Sequence, residues 1–517
     1  MPGRVLMVQG TASHVGKSVL VSALCRIFRQ DGFRVAPFKA QNMSNNSYVT
    51  PDGGEIGRAQ AVQAQAAGVE TQVEMNPILL KPETDQRSQV VLMGRPYTSA
   101  RTMDYIELKS QLWESVHTSL DILRDQYEIV VIEGAGSPAE INLKATEIVN
   151  MRVALYANAP VLLCGDIDRG GVFASLVGTL ELLEPEEREI IKGFVINKFR
   201  GDIDLLTDGL TWLENRTGIP VIGVVRHYHD IHIPEEDSVA LDLPMRVKGN
   251  AVLDIAVIQI PHISNFDDFD PLAQESGVTL RYVDSPTDLG RPDLIILPGT
   301  KTTIPDLAWM DRQGLTQAVI EAHGNGSALI GICGGYQMLG KEISDPDGVE
   351  STQAQISGLG LLPMTTIFAG SKETHRVTGK VALNSGLLAG AKGLPVQGYG
   401  IHMGRTAVEV VGVPFAIDDR SDLPVTQDNA LDGSLDSSGW VLGTYIHGLF
   451  HNGGLRRALL QALARRKGVT LPPTGDVAGI DGEFDKLADW VRSSLNMDLI
   501  YQMSGLARDF DSVGSGR

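Results

Sequence analysis

A glycine-rich loop between an apolar run and a helix constrains the fold of this chain more than any other feature. Residues 5–8 form the apolar run, residues 10–18 read Gly-Thr-Ala-Ser-His-Val-Gly-Lys-Ser, and residues 18–30 follow as a predicted helix. A buried strand, a tight glycine loop and a helix in direct succession form the β-loop-α unit of a parallel sheet. We therefore predict an α/β domain in the first part of the chain.

The same alternation of apolar runs and helical stretches continues in two series. The first series of runs lies at residues 129–132, 160–163, 193–196 and 220–225, and the second at residues 253–258, 294–297, 328–331 and 441–445. Strands that read as continuous apolar runs are buried on both faces, as in parallel sheets covered by helices. The predicted fold class is α/β, with two doubly wound domains whose sheets are mainly parallel.

Composition changes between the two series. Residues 227–250 are rich in His and Asp and contain Pro234 and Pro244, which is typical of a linker. We predict a first domain at residues 1–230, a linker at 231–250, a second domain at 251–455, and a C-terminal helical extension with a tail at 456–517.

Charge and cysteine content limit the function classes. The chain has 44 Lys and Arg against 63 Asp and Glu, a net charge of −19, which argues against a nucleic-acid partner. Its three cysteines are far apart, so neither a disulfide framework nor a cysteine metal site is expected. We find no signal peptide and no apolar run of the roughly 20 residues that span a bilayer. A cytoplasmic enzyme with small-molecule substrates and no membrane partner is expected, and the oligomeric state is left open.

The glycine-rich loop has the residues of a phosphate site, although five residues separate its two glycines where the common motif has four. Backbone N–H groups at the helix start would bind phosphate oxygens, Lys17 would neutralise the β- and γ-phosphates, and Ser18 would ligate Mg²⁺. Glu133, at the end of the run 129–132, is placed to hold Mg²⁺ directly or through water, or else is a solvated acid at a strand end. The expected ATP-binding residues of the loop are Gly10, Thr11, Ser13, Val15, Gly16, Lys17 and Ser18.

A cysteine in the second half of the chain has the surroundings of a nucleophile. Cys333 lies in Gly-Ile-Cys-Gly-Gly, directly after the apolar run 328–331, which predicts a nucleophile elbow at a strand-to-helix turn. A thiol at a helix N-terminus favours the thiolate form. The N–H of Gly334 and one from the loop that contains Gly299 are candidates for an oxyanion hole. The alternative is that Cys333 is a buried cysteine with only a structural role.

A cysteine nucleophile needs a base that is distant in sequence and close in space. Among eleven histidines, His447 is the preferred candidate because it ends the last predicted strand of the second domain. His402 is the rival candidate.

Each half of the chain resembles a known family. The loop at residues 10–18 resembles the dethiobiotin synthetase-like branch of P-loop proteins, and Asn197-Lys198 resembles the adenine-reading pair of that branch, although Asn is also a common turn residue. Residues 252–452 resemble a class I glutamine amidotransferase domain, which implies Cys333 as nucleophile and His447 as general base. Many members carry Glu two residues after this histidine, but here that residue is Leu449, so the sequence identifies no residue that orients His447.

The whole chain resembles the cobyric acid synthase family of the cobalamin pathway. The blocks that carry this resemblance lie at residues 39–47, 75–82, 88–91, 133–143 and 166–171. It implies that glutamine and ATP·Mg²⁺ are used to amidate the b, d, e and g carboxylates of adenosylcobyrinic acid a,c-diamide, a corrinoid polycarboxylate. Candidates to hold the substrate carboxylate are Lys39, Gln41, Asn42 and Asn45, and the alternative for this block is a solvated turn.

Three other functions stay open from the sequence. Cobyrinic acid a,c-diamide synthases have the same two modules, and a ligase could amidate a different polycarboxylate. A P-loop switch with a non-catalytic second domain is the alternative from another class. Such a switch would not need a complete nucleophile elbow together with a histidine at a strand end.

Overall fold

The computed structural model describes residues 2–84, 86–228, 231–234, 251–409, 412–421, 423–427, 429–473 and 479–506. The predicted linker at 231–250 therefore lies outside the described residues, apart from residues 231–234. Within the described ranges, no helix is both long enough and apolar enough to cross a bilayer.

The first domain is built on a six-stranded parallel sheet. In chain order its strands are Arg4–Gly10, Val35–Phe38, Ile129–Glu133, Val161–Asp166, Ile191–Phe199 and Val221–Arg226. Counted in this order, they lie side by side as 2-3-1-4-5-6, and every pair is parallel. Strand Arg4–Gly10 thus lies at the point where the chain changes direction across the sheet, and such switch points form ligand crevices at the strand C-termini.

Both faces of this sheet are covered, as expected of a doubly wound domain. Val5 and Met7 of the first strand pack into one hydrophobic core, and Leu6 and Val8 pack into the other. Side chains alternate between faces along a strand, so a continuous apolar run feeds two cores at once. The described helices of this domain are Lys17–Gln30, Arg58–Ala67, Thr102–Gln126, Met151–Ala157, Val172–Leu182, Pro185–Glu189 and Thr207–Thr217, with 3₁₀ turns at Val73–Met75, Lys144–Thr146 and Ile203–Leu206.

An insertion between the second and third strands of this sheet forms two small sheets that the periodicity did not predict. A four-stranded sheet contains Gln41–Met43, Ile78–Thr84, Arg87–Leu92 and Arg95–Arg101, and a hairpin pairs Ser47–Val49 with Glu55–Gly57. These strands mix polar and apolar residues, and Ile78, Leu80 and Val90 pack into a hydrophobic core of the first domain. The insertion places first-domain side chains against the second domain.

The second domain has a parallel sheet of the 2-1-3-4-5 order. In chain order the parallel strands are Leu253–Ile258, Val278–Val283, Leu294–Leu297, Ala328–Ile332 and Val441–Thr444, and Ser434–Leu435 adds an antiparallel edge. Its helices are Asp270–Ala273, Pro286–Leu289, Thr303–Gln313, Leu315–Gly324, Gly334–Met338 and Gly453–Lys467, with 3₁₀ turns at Phe266–Phe269, Gly386–Leu388 and Leu449–His451. This order is that of doubly wound sheets, whose sites lie at the strand C-termini.

A second sheet is inserted between the fourth and fifth parallel strands of this domain. It contains Glu342–Ser344, Gln355–Ser357, Met364–Val381, Pro395–Val408, Phe415–Arg420 and Leu431–Asp432, and a short pair joins Ile263–Ser264 to Gly299–Thr300. The long hairpin of Met364–Val381 and Pro395–Val408 lies beside the hairpin of the first-domain insertion.

The C-terminal segment divides between the two domains. Helix Gly453–Lys467 packs in the second-domain core, so the predicted boundary at residue 455 falls inside a helix. Helices Ile480–Arg492 and Met497–Ser504 pack on the first domain, in the core that contains helix Lys17–Gln30. Ion pairs join Arg26 to Asp485 at 2.7 Å and Arg492 to Asp31 at 2.9 Å. The end of the chain thus returns to the domain where it began.

Candidate active sites

Cys333 lies in a strained turn between strand Ala328–Ile332 and helix Gly334–Met338. Its backbone has φ 53° and ψ −110°, a conformation that residues with a β-carbon rarely adopt. The neighbouring glycines make room for this turn, because a β-carbon at Gly335 would lie 2.0 Å from the carbonyl oxygen of Leu297. The predicted elbow geometry is therefore present, and it places the buried sulfur of Cys333 at a helix start.

His447 lies beside Cys333 and is held by a carboxylate. Its Nδ1 is 2.7 Å from Oδ2 of Asp268, and the other oxygen of Asp268 accepts a hydrogen bond of 2.7 Å from the N–H of Gly448. The imidazole also stacks on Tyr399, with 5.4 Å between ring centroids and 18° between planes. Because Nδ1 faces Asp268, Nε2 is the ring nitrogen available to the sulfur.

The electrostatics of this group keep a positive charge on His447. Burial lowers the pKa of His447, but the Asp268 carboxylate and the Cys333 side chain outweigh burial and raise that pKa to about 10. His447 is therefore protonated near neutral pH. An imidazolium next to a thiol favours the thiolate, which is the nucleophilic form.

His402, the rival candidate, lines the same cavity as Cys333 and His447 but has a different charge. Its ring stacks on Tyr445 with 3.9 Å between centroids, and its Nδ1 is 3.1 Å from the carbonyl oxygen of Gly404. Burial, partly opposed by Glu373, lowers the pKa of His402 to about 4. His402 is thus neutral near neutral pH, and the carboxylate-bound His447 has the geometry of a base for Cys333.

The two candidate oxyanion glycines approach this cysteine from different segments. A β-carbon at Gly334 would lie 2.5 Å from Cγ2 of Thr300, and one at Gly299 would lie 2.8 Å from Cε1 of His447. The structure therefore brings both predicted segments against the Cys333–His447 pair. Neither position has room for a side chain.

The cavity around Cys333 is lined by ionisable residues from both domains. Lys301, Lys372 and Glu350 come from the second domain and Lys81 from the first. Burial lowers the pKa of Lys372 to about 8, against the attraction of Glu55, and burial raises the pKa of Glu350 to about 8. Cations and a carboxyl group around a thiol are the groups that would bind the α-carboxylate and α-ammonium of an amino acid such as glutamine.

A second polar site lies at the C-terminal edge of the first-domain sheet. Glu133 is fully buried and is bound by Ser18 Oγ at 2.8 Å, Lys39 Nζ at 2.9 Å and Gln63 Nε2 at 2.5 Å. Burial raises the pKa of Glu133, but Lys39 and these hydrogen bonds outweigh burial and hold the pKa below its ordinary value. Glu133 is therefore an ionised carboxylate beside the glycine-rich loop.

The loop itself has the conformation of a phosphate cradle. Gly16 has φ 94°, and helix Lys17–Gln30 begins directly after it. The amine of Lys17 donates to the carbonyl oxygens of Ala12 and Gly136, at 3.0 and 3.1 Å. A helix N-terminus with a lysine folded over it attracts phosphate oxygens. Of the other predicted loop residues, Thr11 donates its N–H to the carbonyl oxygen of Cys164, and Ser13 is exposed.

The side chains of Asn197 and Lys198 form hydrogen bonds with the backbone of this loop. Asn197 Nδ2 donates to the carbonyl oxygen of Val15 at 2.9 Å, and a β-carbon at Gly16 would lie 2.2 Å from that nitrogen. Lys198 Nζ lies 2.6 Å from the carbonyl oxygen of His14 and 3.0 Å from Oδ2 of Asp166. Both residues are thus next to the predicted nucleotide site and shape its loop.

The donors at Glu133 suit a hard divalent cation. Among the described residues, no group of three or more His, Cys, Asp and Glu could hold a metal ion by itself. Mg²⁺ commonly takes one or two protein oxygens together with phosphate oxygens and water. The carboxylate of Glu133 and the hydroxyl of Ser18, which touch each other, fit that requirement.

Two family models match the chain. Residues 6–239 match the CobQ/CobB/MinD/ParA nucleotide binding domain, and residues 254–455 match the CobB/CobQ-like glutamine amidotransferase domain. Their limits agree with the two sheets described above. The predicted α/β fold class is confirmed.

Curated cobyric acid synthases are similar to the chain over almost its whole length. That of Dehalococcoides mccartyi is 52% identical over 96% of this chain and 98% of its own length. That of Moorella thermoacetica is 52% identical over 98% of each chain, and that of Sorangium cellulosum is 50% identical over 98% of this chain and 100% of its own.

The chain belongs to the cobyric acid synthase family. The resemblance predicted from the sequence is therefore confirmed, and so is the pairing of a nucleotide-binding domain with a glutamine amidotransferase domain in one chain.

The substrate candidates of this family member lie between the two sites. Lys39 contacts Glu133, Asn42 donates to Gln60 at 3.0 Å, and Gln41 accepts 2.6 Å from the hydroxyl of Tyr105. Lys39 and Asn42 are buried, so the solvated turn is wrong for them. Asn45 has a buried side-chain oxygen without a hydrogen-bond partner in the protein. At the end of the block, Ser47 donates its N–H to Asn265 of the second domain, so the block reaches the domain junction.

Asp268 is the site residue that the sequence analysis of this family member missed. It lies in the 3₁₀ turn Phe266–Phe269 and meets His447 across 179 residues of sequence. The available signal was a pair of aspartates between two phenylalanines shortly after the first strand of the domain. Consecutive carboxylates at a strand end deserve consideration as partners for a distant histidine.

We predict that Asp268→Asn lowers the turnover number for glutamine hydrolysis by about 10²- to 10⁴-fold. The variant removes the carboxylate and leaves the burial, which lowers the pKa of His447 from about 10. The imidazolium is then lost at lower pH, so thiolate formation needs higher pH. Rates of Cys333 alkylation by iodoacetamide, measured across pH, should shift towards alkaline values.

The matched control is Asp311→Asn, which removes an exposed carboxylate from the same domain. Its hydrolysis rate and alkylation profile should equal those of the unmodified protein. An unchanged alkylation profile in Asp268→Asn would show that Asp268 does not set the charge of His447.

Proposed function

We propose that this protein converts adenosylcobyrinic acid a,c-diamide into cobyric acid by amidating its b, d, e and g carboxylates with nitrogen from glutamine and energy from ATP. The supporting observation is the presence, in one chain of this family, of a Cys333–His447–Asp268 group and a Lys17–Ser18–Glu133 group in adjacent domains. The first suits amide cleavage and the second suits phosphoryl transfer.

In the glutaminase half, we assign Cys333 as the nucleophile. Its thiolate attacks the side-chain amide carbon of glutamine, and the N–H groups of Gly334 and Gly299 stabilise the oxyanion. His447 then donates its proton to the leaving nitrogen, so ammonia departs and a glutamyl thioester stays on the sulfur. Water, deprotonated by neutral His447, hydrolyses the thioester to glutamate and regenerates the thiolate–imidazolium pair.

In the ligase half, a corrinoid carboxylate attacks the γ-phosphorus of ATP and gives an acyl phosphate and ADP. Ammonia attacks the acyl carbon, phosphate leaves, and the amide forms. Lys17 and the backbone N–H groups of the loop neutralise the phosphate charge that develops. Glu133 and Ser18 would hold Mg²⁺, which would add positive charge at the phosphates.

The remaining roles follow from position. Asn197 and Lys198 are assigned to the nucleotide, because both contact the loop that would hold its phosphates. Lys39, Gln41, Asn42 and Asn45 are assigned to the corrinoid carboxylate, of which Lys39 is nearest to the phosphate site. The use of ATP and the free state of all three cysteines fit the cytoplasm, a reducing compartment.

The test is mass spectrometry of adenosylcobyrinic acid a,c-diamide incubated with the protein, glutamine, ATP and Mg²⁺. Each amidation replaces a carboxyl hydroxyl by an amino group, so we expect four successive mass decreases that require ATP. An unchanged a,c-diamide with glutamate still released would redirect the assignment to another polycarboxylate. Conversion of cobyrinic acid itself at the a and c positions would favour cobyrinic acid a,c-diamide synthase instead.

A further inference from the structure

The helix Arg58–Ala67 touches both candidate sites. Arg58, its first residue, has Nε 2.8 Å from Oδ2 of Asp267 in the second domain. Gln63 of the same helix donates to Glu133 at 2.5 Å. Five residues of α-helix rise about 7.5 Å, so one rigid turn and a half separates the two contacts. A single short element of the first domain thus joins the ATP site to the glutaminase site.

Arg58 holds the turn that carries Asp268. Asp267 precedes Asp268 in the turn Phe266–Phe269, and the Arg58–Asp267 pair is buried, with 10% and 2% of the two side chains exposed. A buried carboxylate that loses its cation is strongly destabilised. The arrangement of Asp268 against His447 therefore depends on a cation from the other domain.

Aromatic packing strengthens the same link. The guanidinium of Arg58 lies 5.3 Å from the ring centroid of Tyr48, and Tyr48 packs edge-on against Tyr399 at 5.2 Å. Tyr399 is the residue that stacks on His447. Arg58 is thus connected to His447 by two chains of contacts, one through Asp267 and Asp268 and the other through Tyr48 and Tyr399.

Hydrogen bonds between backbone N–H groups and asparagine side chains also join the first domain to this turn. The N–H of Ser47 donates to Oδ1 of Asn265 at 2.8 Å, and the N–H of Phe266 donates to Oδ1 of Asn46 at 3.4 Å. The N–H of Arg58 in turn donates to the carbonyl oxygen of Asn46. The turn is thereby tied to the start of the helix at several points.

We propose that Arg58 is a positioning residue of the glutaminase site, supplied by the ATP-binding domain, and that its helix transmits the state of the ATP site to Asp268. The proposal rests on the glutaminase function proposed above. Nucleotide at the loop changes the partners of Glu133 and hence those of Gln63. The helix moves as a unit, so Arg58 shifts Asp267 and with it the carboxylate that holds His447. Glutamine is then cleaved fastest when ATP is in place to use the ammonia.

The first test compares variants in the full chain. Arg58→Met should lower the turnover number for glutamine hydrolysis at least tenfold with little change in KM, because it disturbs the base and not the binding cavity. Amidation driven by added ammonium should stay within twofold, which also shows that the chain is folded. Arg58→Lys keeps the charge and should recover part of the loss.

Arg376→Gln is the matched control. The side chain of Arg376 also crosses the domain junction and lies 5.4 Å from the Tyr48 ring, but its hydrogen bonds are with Val49, Glu70 and Thr71. Its glutaminase rate should equal that of the unmodified protein. An Arg58→Met rate within twofold of the unmodified protein, or an equal loss in both variants, would overturn the positioning role.

The second test measures transmission without turnover. A non-hydrolysable ATP analogue should change the rate of Cys333 alkylation by about five- to 150-fold, the usual range of coupling between two sites. In Arg58→Met this change should fall below twofold while equilibrium dialysis shows unaltered binding of the analogue. An analogue effect that persists in Arg58→Met, or that is absent from the unmodified protein, would overturn the transmission.

These outcomes are separable from failure of the proposed function. If Cys333→Ala still releases glutamate from glutamine, the glutaminase assignment itself is wrong. If Cys333→Ala is inactive and Arg58→Met is fully active, only the role of Arg58 is wrong.

Discussion

Cys333→Ala should abolish glutamine-dependent amidation and leave ammonium-driven amidation at the rate of the unmodified protein. The sulfur is the atom proposed to form the thioester, and loss of a nucleophile commonly costs about 10⁴- to 10⁶-fold in turnover. The ligase half needs only ammonia and lies in the other domain. The measurement is amide formation by mass spectrometry, with glutamine or ammonium chloride as the nitrogen source.

Cys25→Ala is the matched control for this experiment. Cys25 is buried in the first-domain core, where burial raises the pKa of its thiol, so this thiol stays protonated and is not a nucleophile. This variant should use both nitrogen sources. Glutamine-dependent amidation by Cys333→Ala would refute the thioester mechanism, and loss of the ammonium-driven reaction would show that the cysteine also supports the ligase site.

Lys17→Ala should have the opposite pattern, with amidation lost from both nitrogen sources. The lysine amine is folded over the loop, where it donates to the carbonyl oxygens of Ala12 and Gly136. Removal of one such charge from a phosphoryl-transfer site costs about 10²- to 10³-fold or more. Glutamine hydrolysis without ATP should continue, because Cys333, His447 and Asp268 are unchanged. The measurements are amide formation, ADP release and glutamate release in parallel.

Lys192→Ala is the control, since this lysine is exposed in the same domain. It should retain all three activities. If Lys17→Ala kept ATP-dependent amidation, the loop at residues 10–18 would not be the ATP site. Together, the cysteine and lysine variants divide the reaction into the two halves that the two domains suggest.

Local sequence was sufficient where a structure is made by neighbouring residues. The phosphate loop depends on a strand, Gly16, Lys17 and a helix start within one short segment, and the nucleophile elbow depends on glycines on both sides of Cys333. Strong steric limits act on such turns, because a β-carbon at Gly335 would collide with Leu297. The same holds for the α/β class, since continuous apolar runs require cover on both faces.

Prediction failed where the local sequence pattern does not identify the residues that an element contacts. The amphipathic pattern at residues 480–504 indicates helices with one buried face. Hydrophobic burial is non-directional, so this pattern does not indicate which domain the helices pack on. The polar block at residues 39–47 favours a turn by composition, yet in the fold Lys39 and Asn42 are buried because their partners Glu133 and Gln60 are buried with them.

What the sequence by itself determined about this protein is its family and its two α/β modules, and it supplied the candidates for the phosphate loop and for the cysteine and histidine of the proposed glutaminase site. Only the tertiary structure showed that Asp268 contacts His447, that Arg58 of the other domain pairs with Asp267, and that helices Ile480–Arg492 and Met497–Ser504 pack on the first domain. The physical reason is the separation along the chain over which each kind of interaction acts. Sterics and periodicity act within a few residues, whereas a hydrogen bond across 179 residues exists only after the second-domain sheet has brought its first and last parallel strands into one layer.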